Sequence, residues 1–175
     1  MMDHAALRAI LPQRSPMLLL DRVVEVVPGE RLTAVKAVTG AEPCYRHLPP
    51  DAAADDLAYP TALLVESLGQ AAAILWFLGR PDERSGRLPL LAGLRDVALT
   101  GAAYPGDLVR HEVRLDQILD GVAFAVGEIW VGERRICTVG SLLAVVRPPS
   151  SLAVREPEPK ERDDDRHHQP VRATA

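Results

Sequence analysis

Residues 59–79 read YPTALLVESLGQAAAILWFLG, and this stretch decides the fold. Pro60 and Thr61 suit the start of a helix, whereas Gly79, with Pro81 shortly beyond it, is typical of a helix end. The segment between them is apolar on nearly every side. It therefore predicts one long helix that other elements of the chain must cover.

Glu66 is the only acidic or basic side chain in this helix, and no Lys or Arg lies within helical reach of it. Burial without a partner penalises a charged carboxylate, so such groups are kept mostly where chemistry needs an acid or a base. The alternative is a structural carboxylate that is hydrogen-bonded inside the protein. Gln70, one turn later on the same face, either orients the carboxyl or bridges helices.

The run is also long enough to be weighed as a membrane span. Against that interpretation, Glu66 and Gln70 lie inside it, Asp55 and Asp56 precede it, and no basic cluster flanks it. A central carboxylate is costly in a bilayer, so we expect no membrane span.

The candidate companion of Glu66 is His47, in the Pro-bounded loop CYRHLP at Cys44–Pro49. One imidazole and one carboxyl are the parts of an acid–base site, although a solvated surface histidine is the alternative. Cys44 invites a Cys–His nucleophile interpretation, but residues at that spacing rarely form a working pair. His111 alternates with apolar residues of a predicted strand, which favours a core or interface histidine over a catalyst.

Around the long helix, the chain predicts a short helix and about six antiparallel strands. The short helix covers residues 3–11, with Asp3 as its N-cap. The strands are predicted at 17–27, 31–39, 88–100, 108–118, 122–131 and 134–146. The pattern indicates an α+β fold in which an antiparallel sheet wraps one central helix, as a single domain over residues 1–147. Residues 148–175 are polar and are expected to form a disordered tail.

Composition excludes several classes of protein. The formal charge is −4 with no basic stripe, which argues against nucleic-acid binding. Two cysteines make no disulfide framework and suit no metal site. Polar residues interrupt every apolar run near the N-terminus, so no signal peptide is expected and the protein is predicted to be cytoplasmic.

Several dispersed motifs resemble those of the FabZ-type 3-hydroxyacyl-acyl-carrier-protein dehydratases. LPQRSPMLLLDRV at 11–23 is similar to the family's LPHRxPFLLVDRV, and PTALLVESLGQA at 60–71 is similar to PGVLxxEALAQA. Glu42-Pro43 precedes the triplet His47-Leu48-Pro49, as in the family. LAGL at 91–94 and PGD at 105–107 resemble its later strands.

The resemblance implies a hotdog fold that works as a homodimer or a trimer of dimers, with each site shared between two subunits. It implies dehydration of 3-hydroxyacyl thioesters on acyl carrier protein, in fatty-acid or polyketide-type biosynthesis. His47 would be the base, Glu66 of the other subunit the acid, and the backbone N–H of Thr61 the donor to the thioester carbonyl. No metal or organic cofactor is implied, because phosphopantetheine arrives with the substrate.

The chain departs from the family pattern at four places. Residues 51–58 lengthen the segment between the histidine and the glutamate, Thr61 replaces a glycine, Gln13 replaces a histidine, and Arg46 stands where glycine is usual. These departures indicate a diverged member, serving a specialised pathway or lacking dehydration. Two other functions therefore stay open: a hotdog thioesterase in which Glu66 activates water, and a non-catalytic acyl-thioester-binding homologue.

Overall fold

The structure, a computed structural model, describes residues 1–152 of the 175-residue chain. In chain order its elements are α1 (His4–Ile10), β1 (Arg22–Val27), β2 (Arg31–Ala37), α2 (Thr61–Gly79), β3 (Leu88–Leu99), β4 (Leu108–Leu119), β5 (Val122–Val131) and β6 (Arg134–Arg147). The six strands form one antiparallel sheet in the order β1-β2-β4-β5-β6-β3. This confirms the predicted α+β architecture of six strands around one long helix.

Local signals at the ends of the helices behave as predicted. The Asp3 carboxylate accepts a hydrogen bond from the Ala6 backbone N–H at 2.9 Å, which caps α1. Helix α2 ends at Gly79, and the Arg80 N–H donates a hydrogen bond to the Trp76 carbonyl that completes its last turn.

The first strand is shorter than predicted, because it begins at Arg22 and not at Met17. The preceding segment bonds to a helix side chain instead of a neighbouring strand. The Gln70 amide Nε2 donates to the Met17 carbonyl at 2.7 Å, and the Leu19 N–H donates to Gln70 Oε1 at 3.0 Å. Residues 17–19 are therefore held against α2 by a residue 51 positions away from Leu19.

Helix α2 packs closely on the sheet because the inner face of β5 is built from small residues. Ala123 and Ala125 are buried on that face, and Gly127 follows them. A Cβ at residue 127 would lie 2.9 Å from the Cδ atoms of Leu68. The leucine side chain thus occupies the space that a strand side chain would otherwise fill.

The apolar helical segment is a core helix by its packing. The stretch Ala54–Gly79 passes length and hydropathy criteria for a membrane span, but 67% of its apolar window is buried inside the protein. The sheet and the flanking loops cover the residues that a bilayer would otherwise contact, which supports the prediction of no membrane span.

Strand β3 is an edge of the sheet and pairs only with β6 among the described strands. It is long, and its side chains Leu91, Val97 and Leu99 are 40–50% exposed. An exposed apolar edge offers unpaired backbone groups to a further strand.

His111 lies on the inner face of β4 and is completely buried, as predicted for a core histidine. Its Nε2 is 2.6 Å from the Ser67 hydroxyl, which in turn donates to the Leu64 carbonyl at 2.8 Å. Since a serine hydroxyl has one proton, Nε2–H of His111 donates to Ser67 Oγ. This contact joins α2 to the middle of the sheet.

The predicted tail falls mostly outside the described residues. Residues Pro149–Leu152 form a short 3-10 turn directly after β6, and residues 153–175 are not among those described. Disorder of that segment stays a prediction.

We expect Gly79→Ala to destabilise the protein by about 1–3 kcal/mol, because its Cβ would lie 2.8 Å from the backbone Cα of Gly29. Gly29 sits in the β1–β2 turn at a φ of 77° and cannot move aside as a flexible side chain would. Gly69→Ala in the same helix is the control, since no atom beyond its own helical turn and chain neighbours lies within 4 Å of its Cβ. Urea unfolding of both variants checks this, and equal stabilities would contradict it.

Lowering the pH should destabilise the protein through His111. Burial lowers the pKa of His111 to about 3, against 6.5 for an ordinary histidine. Between pH 6.5 and pH 3, His111 binds a proton in the unfolded chain but not in the folded protein. The free energy of unfolding therefore falls as the pH drops through this range. The expected loss between pH 7 and pH 5 is about 2 kcal/mol from this residue. The double variant Ser67→Ala/His111→Leu should show a correspondingly shallower pH dependence in urea unfolding; an unchanged slope would contradict the assignment.

Candidate active site

Glu66 lines a small niche between α2 and the β3–β6 edge of the sheet. The niche has a polar end, formed by Glu66, Gln13 and Gln70, and an otherwise apolar wall. The wall residues are Gly69, Ala73, Pro89, Leu90, Leu91, Leu142 and Ala144. Its cavity of about 40 Å³ has room for roughly one water molecule.

Two neutral amides hold the Glu66 carboxylate. Gln70 Nε2 donates to Oε1 at 2.9 Å, and Gln13 Nε2 lies 3.4 Å from the same oxygen. Within residues 1–152, no Lys, Arg or His forms an ion pair with Glu66, and no donor reaches its Oε2. The carboxyl is thus fixed through one oxygen, and the lone pairs of the other remain available to a further hydrogen-bond donor.

The sequence predicted a buried Glu66, and this is wrong for a single protomer. The side chain is only half-buried, because the face of α2 that carries it lies beside the exposed edge of the sheet at β3.

The sequence left two roles open for Gln70, orienting the Glu66 carboxyl or bridging two helices, and its contacts combine elements of both. It is 1% exposed and contacts the Glu66 carboxylate, but it braces the segment 17–19 and not a second helix. Both N–H donors of its amide have fixed partners, the Met17 carbonyl and Glu66 Oε1, and its carbonyl accepts one hydrogen bond from Leu19. Its orientation, and with it that of Oε1, is therefore tightly defined.

His47 does not meet Glu66 within one protomer. It follows the 3-10 turn Pro43–Tyr45, is exposed, and is not among the residues that line the niche. Thr61 is the exposed first residue of α2, roughly 7.5 Å along the helix axis from Glu66. Its backbone N–H has no acceptor in the described part of the chain, so it is free to bind a ligand oxygen.

Cys44 is a poor nucleophile in this setting. Burial, followed by the nearby Glu42 carboxylate, raises the pKa of its thiol. The thiol form therefore predominates at neutral pH, which disfavours the Cys–His interpretation.

Two contacts near the site escaped sequence reasoning. The approach of Gln13 to Glu66 spans 53 residues, and the ion pair between Lys36 and Glu42 joins a strand to the loop that carries His47. The substitution of Gln13 in the family motif was visible in the sequence, but its partner was not. The first contact depends on how distant segments pack, and the second, between residues six positions apart, depends on the course of the loop after β2, which neither periodicity nor spacing reports.

Comparison with known proteins gives a consistent family. The model of the FabA-like domain matches residues 11–140. The 3-hydroxyacyl-[acyl-carrier-protein] dehydratase FabZ of Roseiflexus sp. (strain RS-1) is 35% identical over 138 residues, which cover 78% of this chain and 92% of that protein.

Solved structures agree on the fold. The dehydratase heterocomplex ApeI:P from Xenorhabdus doucetiae matches with a TM-score of 0.67 at 21% identity, covering 83% of this chain and 93% of that chain. A mutant of the fluoroacetyl-CoA-specific thioesterase FlK matches with a TM-score of 0.58 at 19% identity, covering 73% and 93% of the two chains. These likenesses confirm the predicted hotdog fold, and at such identities they carry the fold alone.

Proposed function

The chain belongs to the FabA-like family, and from this membership we propose that it is a hydro-lyase that dehydrates 3-hydroxyacyl thioesters on acyl carrier protein to trans-2-enoyl thioesters. The observation that carries the proposal is the state of Glu66. Its carboxyl lies at the polar end of an apolar niche, held on Oε1 by two amides and open on Oε2. An acid so placed can protonate a poor leaving group beside a buried acyl chain.

Each predicted site residue has one role in this reaction. His47 removes a proton from C2, and the electron pair of that C–H bond forms the C2–C3 double bond. The C3–O bond breaks as Glu66 Oε2–H protonates the departing hydroxyl, which leaves as water. The Thr61 N–H donates to the thioester carbonyl oxygen, where negative charge develops, and Gln70 orients the Glu66 carboxyl.

The proposed site is shared between the subunits of a homodimer. A niche of about 40 Å³ is far too small for an acyl thioester, and His47 lies outside it. The exposed apolar edge of β3 borders the niche and offers a surface for a second copy of the chain. The partner would enlarge the niche into a tunnel and bring its own His47 to Glu66.

The proposal needs no resident cofactor. The chemistry consists of a proton removed from C2 and a proton given to the departing hydroxyl oxygen on C3, and the substrate brings its own phosphopantetheine arm on acyl carrier protein. The protein would act in the cytoplasm, either as the homodimer or as a trimer of dimers.

We expect mass spectrometry of a 3-hydroxyacyl-carrier protein to show loss of one water in the presence of the wild-type protein. His47→Ala and Glu66→Gln should each reduce the rate by a factor of about 10² or more, because each removes a proton-transfer group. Release of free carrier thiol would instead indicate a thioesterase. An unchanged substrate over a range of acyl lengths would leave a non-catalytic acyl-binding protein.

A complementation test addresses the shared site. Co-refolding inactive His47→Ala chains with inactive Glu66→Gln chains should restore about a quarter of wild-type activity, since half of the dimers are mixed and each holds one intact site of two. Purification through two different tags verifies that mixed dimers have formed. Mixed dimers without activity would mean that both groups act within one subunit.

A further inference from the structure

Lys36 forms a buried ion pair that the proposed reaction does not use. It lies on the inner side of β2 with 5% of its surface exposed, and its Nζ is 2.8 Å from Glu42 Oε1. The two side chains are 6% and 14% exposed. Removing a lysine and a glutamate from water is costly, so a buried pair is weak evidence for stability as such.

The position of Glu42 gives the pair a consequence for the site. Glu42 starts the loop that carries His47: its carbonyl accepts the Tyr45 N–H at 3.0 Å, and the Leu48 N–H bonds to the Tyr45 carbonyl at 3.1 Å. The ion pair therefore anchors the beginning of this short, internally bonded loop to the sheet.

The same ammonium group also contacts the entry to helix α2. Lys36 Nζ lies 5.3 Å from the centre of the Tyr59 ring, within the range of a cation–π contact. Tyr59 is 2% exposed, and its N–H donates to the Ala103 carbonyl at 2.7 Å. It stands two residues before Thr61, whose free N–H is the proposed donor to the thioester carbonyl.

We propose that Lys36 is a positioning residue that sets the geometry between the His47 loop and the N-terminus of α2. This inference rests on the proposed function for its catalytic meaning. Two segments separated by the insertion at 51–58 meet at one cation, which holds each in place relative to β2. The long connection between the two segments therefore does not have to fix their relative position.

The chain supplies a matched control on the same strand. Arg31 pairs with Glu25 at 3.1 Å near the other end of β2, but these side chains are 54% and 62% exposed. An exposed pair of this kind contributes little to structure. Each pair thus joins a basic residue of β2 to a glutamate, but the two pairs differ in burial and in the elements that they connect.

The test compares two double variants, Lys36→Met/Glu42→Gln and Arg31→Met/Glu25→Gln. Both charges are removed together because a single change would leave one buried charge without a partner. We expect the first variant to lower kcat for the 3-hydroxyacyl thioester by about 10- to 100-fold with KM little changed, since misplaced catalytic groups slow the chemical step. The second should keep kcat within about two-fold of wild type.

Hydrogen exchange of backbone amides provides a readout that needs no turnover. In the Lys36→Met/Glu42→Gln variant the amides of Tyr45, Leu48 and Tyr59 should lose protection, while those of β4 and β5 keep it. Unchanged exchange at these three amides, or loss of protection throughout the sheet, would overturn the positioning role. So would a folded variant with the kcat of the Arg31→Met/Glu25→Gln control. A wild-type protein that fails to dehydrate any substrate would refute the proposed function. The hydrogen-exchange test of the positioning role of Lys36 would still be valid, because it needs no turnover.

Discussion

Covering α2 is the constraint on which the rest of the structure depends. A helix of 19 residues that is apolar on nearly all sides has to be enclosed, and one six-stranded sheet covers most of it. The sheet leaves the side near β3 open, and the carboxylate of Glu66 lies on that side. The position of the proposed acid therefore follows from where the sheet stops covering the helix.

Polar groups inside this apolar framework are placed in pairs that join separate elements. Ser67 and His111 connect α2 to β4, Gln70 connects α2 to the segment before β1, and Lys36 connects β2 to the loop of Glu42. Each connection replaces hydration lost on burial with a fixed partner. The contacts of Ser67 and Gln70 restrict how α2 can rotate or slide against its neighbours, and the Lys36 pair restricts the loop of Glu42.

The sequence predicted what depends on local chemistry. The Asp3 cap, the bounds of α2 and the existence of the six strands could all be read from neighbouring residues. Contacts set by topology could not: the bonds of Gln70 to residues 17–19 shortened the first strand. The approach of Gln13 to Glu66 was equally invisible. The half-open niche also differs from the expected burial, because a helix pattern does not say which face the sheet leaves uncovered.

The contact between Leu68 and Gly127 has a consequence for how sequences of this fold can diverge. The leucine fills the space above a glycine that has no side chain of its own, so the two positions divide one fixed volume between helix and strand. An alanine on the strand requires the Leu68 side chain to shift, and a valine requires a smaller helical residue. Substitutions here should therefore be inherited as correlated exchanges, in which the size of one side chain limits the size of the other.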